Sequence, residues 1–264
     1  MNKSAIKNGE LIKEEDAVVS ITSREVQCNF SVYEALRVLG GKVVHLCDHE
    51  KRLKESAAML NMKLPALNLK ENIEKLIKKD NLKDVTMRIL VIGGKNPQVF
   101  ITYQDLLTYP DSYYEKGIGV TTYFGERFMP KCKTSNLLLS YLALEDAKSK
   151  GAFEALLVDR NNRVLEGTRS NFYMLKDNVI YTAGDEYVLS GVTRISVLKA
   201  LEEMGVKVVF ESPKLSEIES ADTLFISSTS MAAMPVSTLN SKPIKCDFDF
   251  VKRVTTYVRA HELD

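Results

Sequence analysis

The sequence predicts an α+β fold in two domains, and three observations carry that prediction. Short β-type runs recur as hairpin-like pairs around Gly40-Gly41, Gly93-Gly94-Lys95-Asn96-Pro97 and Asn240-Ser241. Amphipathic helical runs stand among them without strict strand–helix alternation, which argues against a doubly wound parallel sheet. The periodicity lapses between Leu106 and Gly117, so the boundary is placed there, with domains of 1–112 and 113–264.

Each element has its own signal. Ala17 to Ile21 reads as a strand. Val32 to Val38 and Lys42 to Leu46 flank the Gly-Gly pair as a hairpin. Asp48 is the expected N-cap of a helix reaching Leu60, with Leu53, Ala57 and Leu60 on one face. A second helix covers Leu69 to Lys79, with Ile73, Leu76 and Ile77 inward. Val85 to Ile92 and Val99 to Tyr103 form the next hairpin. In the second half, a helix from Leu137 to Lys150 stops at Gly151. Strands follow at Ala155 to Val158, Val164-Leu165, Asn171 to Leu175 and Val179 to Thr182. A helix from Thr193 to Met204 is closed by Gly205. Strands at Val206 to Phe210 and Thr223 to Ile226, a last hairpin and a helix from Phe248 to Glu262 complete the chain.

Bulk properties narrow the function classes. The chain of 264 residues is 45% apolar and 27% charged, as expected of a globular protein with a sizeable core. A net charge of +1 gives no electrostatic case for nucleic acid or an anionic membrane. No apolar run approaches the ~20 residues that span a bilayer. Met1 to Lys13 is charged throughout and does not read as a secretory signal. The four cysteines are widely spaced, so neither a disulfide framework nor a zinc site is expected, and no other metal site is. A reduced, cytoplasmic compartment is the expectation.

Three segments carry chemistry: Lys133-Thr134-Ser135-Asn136, Glu166-Gly167-Thr168-Arg169-Ser170-Asn171 and Leu189-Ser190-Gly191-Val192-Thr193-Arg194. Read alone, Lys133 is a solvated lysine, Glu166 a hairpin-end acid and Thr193 a helix N-cap. Together they are an amine able to form a Schiff base, an acid able to hold a pyridine nitrogen and a helix start able to bind phosphate. Those are the groups that pyridoxal 5'-phosphate requires. Lys131 is the rival amine, since a strand would place it on the same face as Lys133. The apolar run Leu137-Leu138-Leu139 is the expected buried neighbourhood that makes a neutral lysine available. Ser227-Ser228-Thr229-Ser230 can add hydroxyl and backbone donors to a phosphate. Arg52 can add a guanidinium, and His49 lies near it.

Taken together, these segments resemble the fold-type IV, or class IV, pyridoxal-phosphate enzymes, from about Tyr33 to Val236. That family holds branched-chain and D-amino-acid aminotransferases and aminodeoxychorismate lyases. The resemblance implies a smaller N-terminal α/β domain, a larger C-terminal domain with barrel-like β-structure, and a homodimer. It implies Lys133 as the cofactor-carrying lysine and proton carrier, with Glu166 as the ring-nitrogen partner. Arg52, Val192, Thr193, Ser228 and Thr229 are implied as phosphate ligands. Leu189 is implied against the ring face, Thr168 and Asn171 beneath it, and Tyr33 as the active-site tyrosine. The implied reaction moves an amino group between an amino acid, of hydrophobic or branched-chain type, and a 2-oxo acid.

The alternative within the family is an aminodeoxychorismate lyase, against which Tyr33-Glu34 argues. Where D-amino-acid aminotransferases carry an Arg-x-His carboxylate trap, this chain reads Pro97-Gln98-Val99-Phe100. Met231-Ala232-Ala233-Met234-Pro235-Val236 is expected to form an apolar wall after the phosphate loop. Arg169 either faces away or binds a substrate carboxylate.

Overall fold

The computed structural model describes residues 3–263. Met1 and Asn2, the start of the charged N-terminal stretch, and Asp264 lie outside the described residues. The chain divides into two compact units. One runs to residue 107 and includes residues 132–136. The other holds residues 108–131 and 137–262.

The first unit is a six-stranded antiparallel sheet of β1 (Ser4–Lys7), β2 (Glu10–Lys13), β3 (Ser31–Leu39), β4 (Lys42–Val43), β5 (Val85–Ile92) and β6 (Gln98–Asp105), in the order β2-β1-β6-β5-β3-β4. A short α1 (Arg24–Gln27) precedes β3, while α2 (Leu46–Met59) packs on β3 and α3 (Leu69–Asp80) on β1. The helices bury Leu53 and Ala57, and Ile73 and Leu76, at the predicted spacing.

Two expectations fail in this unit. Ala17 to Ile21 forms no strand: Val18 and Ile21 stand 63% and 81% exposed, with no neighbouring strand to pair them. Asp48 is not the cap of α2, which begins at Leu46 after His45 in a left-handed conformation. The β1–β2 hairpin was not expected. Its turn, Asn8-Gly9, has φ of 53° and 88°, which suits the twist of a two-residue hairpin.

The second unit begins with α4 (Asp111–Lys116), β7 (Ile118–Phe124), α5 (Leu138–Ser149), β8 (Glu154–Val158), β9 (Val164–Gly167), β10 (Asn171–Lys176) and β11 (Val179–Tyr181). It continues with α6 (Val192–Glu203), β12 (Lys207–Val209), β13 (Thr223–Ser228), β14 (Ala232–Leu239), β15 (Lys242–Pro243) and α7 (Phe248–Ala260). Six of its strands close on themselves in the order β10-β13-β14-β7-β8-β9, a barrel. The seam between β9 and β10 is one pairing, Glu166 opposite Asn171.

Strand alternation explains both cores of this unit. Val120, Leu156, Val164, Phe172, Leu224 and Met234, one from each barrel strand, share one buried cluster. Their neighbours Tyr173, Phe225 and Ala233 face the other way, onto Val197 and Leu201 of α6 and Val251 and Val254 of α7. Each such large side chain contributes roughly 1.5–3 kcal/mol by leaving water. The Met231–Val236 segment is therefore core, divided between the two clusters, and its apolar composition is accounted for by packing. No helix among the described residues is long and apolar enough to cross a membrane.

Candidate active site

In the first unit, Lys133 and Tyr33 come together. The segment 132–136 lies alongside β3: Val32 bridges Thr134, and Tyr33 N–H donates to the Lys133 carbonyl at 3.1 Å. Lys133 N–H donates to Ser56 Oγ at 3.0 Å, and Lys133 Nζ stands 4.6 Å from the centre of the Tyr33 ring. The segment is a turn rather than a strand, which separates the two candidate lysines: Lys131 is exposed and Lys133 half-buried. Leu137–Leu139 does not supply the buried neighbourhood, since Leu138 is 66% exposed as α5 turns it outward. The chain neighbours of Lys133, Cys132 and Thr134, are buried, and the Tyr33 ring lies against the amine.

Arg52, the expected phosphate ligand, donates from Nε and Nη2 to the Glu34 carboxylate at 2.8 and 2.7 Å. His49 Nδ1 meets the same carboxylate at 2.7 Å, so its hydrogen sits on Nδ1, and His49 Nε2 is buried with no partner among the described residues. Burial pushes the Glu34 carboxyl up. The hydrogen bonds and charge of Arg52, the His49 bond and the nearby Lys133 charge outweigh it and hold the group at about 2. His49 is held below its usual value, chiefly by burial. The sequence carried a signal for Glu34: an acid that breaks the buried row Val32, Leu36, Val38 on one face of a strand needs partners. Arg88, also unforeseen, lays its guanidinium 4.8 Å from the centre of the Tyr33 ring.

In the second unit, Glu166, Asn171, Leu189, Val192 and Thr193 come together around the barrel seam. The buried Glu166 carboxylate accepts from Leu189 N–H at 3.3 Å and Arg127 Nη1 at 3.2 Å. Asn171 Nδ2 donates to the Leu189 carbonyl at 2.8 Å. Its Oδ1 lies so close to Gly191 that a Cβ there would collide with it, hence the glycine. Thr193 is not the helix N-cap. Gly191 occupies that position, and Val192 and Thr193 are the first two helical residues. Ser228 ends β13, with its hydroxyl 3.3 Å from Ser230, and Thr229 follows in the half-buried turn.

Thr168 is engaged by an acid that the sequence reading did not single out. Glu154, fully buried, accepts from Thr168 N–H and Oγ1, Ala155 N–H and Ser170 Oγ. Burial pushes its carboxyl above the ordinary range, against those bonds and the Arg169 charge. Arg169 Nε stands 3.6 Å from Glu154, and its guanidinium lies over the Phe153 ring. No group of three or more metal-ligating side chains occurs among the described residues.

The amino-transferase class IV family profile matches residues 31–239. The D-alanine aminotransferase of Bacillus licheniformis is 31% identical over 253 residues, covering 90% of this chain and 88% of its own. The T.th. branched-chain amino acid aminotransferase, solved with pyridoxamine 5'-phosphate, superposes with a TM-score of 0.89 at 25% identity, covering 99% of this chain and 95% of its own. The branched-chain aminotransferase of Thermoproteus uzoniensis, solved with norvaline, shares the fold at 21% identity, with a TM-score of 0.89 and coverage of 98% and 94%. A six-stranded barrel closed at Glu166, a lysine set over a tyrosine ring, and matches along nearly the whole chain lead to one conclusion: the protein belongs to the class IV aminotransferases and is a transaminase.

Proposed function

We propose that this aminotransferase uses pyridoxal 5'-phosphate and moves the amino group of a branched-chain or similar apolar L-amino acid to a 2-oxo acid such as 2-oxoglutarate or pyruvate. The observation that carries the cofactor reading is the donor set. A half-buried amine, a buried carboxylate held by Arg127 and Leu189 N–H, and a helix start without an acid in its first turn match an aldehyde, a pyridine nitrogen and a phosphate. When bound, the cofactor supplies an electron sink for the carbanion at the substrate Cα.

The chain's own groups do the rest. Lys133 Nζ, steadied over Tyr33 and anchored through its backbone to Ser56, takes the Cα proton and returns one, serving both half-reactions. The Glu166 carboxylate, its orientation fixed by Arg127 and Leu189 N–H, would face the ring nitrogen and favour its protonated form. Val192 and Thr193 offer helix N–H groups to the phosphate, with Arg52, Ser228 and Thr229 as further donors. Leu189 would lie against the ring face, and Thr168 and Asn171, bonded to Glu154 and to the Leu189 carbonyl, would hold the stretch beneath it.

The substrate class follows the branched-chain relative solved with pyridoxamine phosphate. Phe100, where the D-amino-acid trap would stand, is buried in the sheet beneath Lys7, which supports L over D specificity. The working protein is proposed to be a cytoplasmic homodimer.

The test is the near-visible spectrum of the purified protein with single amino acids added. The expected result is a cofactor band that fades with L-leucine, L-isoleucine or L-valine. No band after incubation with pyridoxal phosphate sinks the cofactor reading. Fading with D-alanine but with none of the L-amino acids sinks the substrate reading.

A further inference from the structure

Arg194 is the third residue of α6 and is 1% exposed, among the largest fully buried side chains of the chain. Burying a guanidinium is costly unless each donor finds an acceptor and the charge finds a counter-charge. Two of its nitrogens are satisfied: Nη1 donates to Thr182 Oγ1 at 2.8 Å and Nη2 to the Ala183 carbonyl at 2.5 Å. The third, Nε, has no hydrogen-bond partner among the described residues. The acid paired with it, Asp185, stands 3.4 Å from Nε with its own side chain 60% exposed, so water screens that pairing. The rings of Tyr173 and Phe210, centred 6.0 and 5.7 Å from the guanidinium carbon, cover it instead. A buried cation with so weak a counter-charge, in the first turn of a helix that has no acid there, leaves this end of α6 strongly positive.

The same fork also fixes where that end points. Thr182 follows β11, and its hydroxyl donates to the Phe172 carbonyl on the barrel strand β10. At the start of β10, Asn171 holds Leu189 and abuts Gly191. The helix entrance is thus tied to one strand twice, by Asn171 before the first turn and by Arg194 within it.

We propose that Arg194 is a positioning residue for the anion-binding end of α6: its forked guanidinium fixes the first turn against the barrel and adds the positive charge that a phosphate dianion answers. This rests on the proposed phosphate role of Val192 and Thr193, and the test separates the two.

The full-length protein, freed of cofactor, is titrated by absorbance with pyridoxal phosphate and with pyridoxal, which lacks the phosphate. Wild type should prefer pyridoxal phosphate strongly. Absence of that preference overturns the phosphate reading and this inference with it. In Arg194→Gln the preference should fall by about tenfold or more through weaker pyridoxal-phosphate binding, with pyridoxal affinity moving by less than about threefold. Inorganic phosphate should likewise compete less well against the cofactor than it does in wild type. If Arg194→Gln does not fold, Arg194→Lys, which keeps the charge but cannot span both acceptors, should lower the same ratio by about threefold. An unchanged ratio in either folded variant overturns the role of Arg194 while leaving the phosphate reading in place.

Discussion

Glu34→Ala tests the buried charge cluster of the first unit. It removes one fully buried carboxylate that accepts from His49 Nδ1 at 2.7 Å and from Arg52 Nε and Nη2 at 2.8 and 2.7 Å. Breaking a buried pair by deleting one partner costs about 3–5 kcal/mol, because the cation left behind is no longer answered. With a urea dependence of about 3 kcal/mol per molar, the midpoint should fall by about 1–2 M. Glu34→Gln keeps one carbonyl acceptor and should lose roughly half as much.

Acid gives an independent reading of the same cluster. The Glu34 carboxyl titrates at about 2, against 4.5 for an ordinary glutamate, so its contribution is complete above about 4.5 and lost as pH falls towards 2. His49, held neutral below its usual 6.5, begins to cost stability as pH falls through that value, because the unfolded chain takes up the proton first. Urea midpoints of wild type and variant, read by circular dichroism at pH 7 and pH 4, test both statements. A midpoint for Glu34→Ala within about 0.3 M of wild type at pH 7 would refute the reasoning.

Other outcomes follow from the geometry. Lys133→Ala should abolish the band of the lysine–cofactor aldimine, whereas Lys131→Ala, at an exposed turn position, should leave it intact. An aldimine band retained in the Lys133 variant rules out its assignment. Glu166→Gln should lower kcat about 100-fold, the equivalent of ~3 kcal/mol in the transition state, with the fold unchanged by circular dichroism. A loss below about threefold would show that the acid does not act on the ring. Glu154→Leu strands the four donors that Glu154 accepts and should cost several kcal/mol on urea unfolding, whereas Glu154→Gln, keeping Oε1 for Thr168 and Ala155, should recover most of it. Equal damage in both variants would mean that charge, rather than acceptance, is what the loop needs.

How much was legible follows a physical division. The hairpins around Gly40-Gly41 and Gly93 to Pro97 and helices α3, α5 and α6 were readable because glycine punctuation and apolar spacing are local. β14 was read only at its hairpin end beside Asn240-Ser241; its first half was not, because Pro235 sits inside it, opposite Phe225, where a ladder donor is missing. β7, with Gly119 and two threonines, carries no clean alternation either. In β10 every position but the last is buried, so period alone does not say which side chains fill the barrel and which meet the helices.

The site divides in the same way. Lys133, Glu166 and the Gly191-Val192-Thr193 start are marked by their immediate neighbours in sequence. The partners of Arg52, Glu166 and Thr168, namely Glu34, Arg127 and Glu154, lie 18, 39 and 14 residues away from them, which no local pattern records.

The division of the chain has a consequence for recombination. Residues 132–136 belong with the first unit although they are flanked on both sides by the second. A chimera joined at residue 107 would inherit Tyr33, Glu34 and Arg52 from one parent and Lys133 from the other. The tyrosine ring and its amine, 4.6 Å apart here, would then come from different ancestors, and so would Ser56 and the backbone it holds. The two units are therefore not interchangeable cassettes. A functional graft needs three junctions, after residues 107, 131 and 136, so that the five-residue inlay travels with the unit it completes.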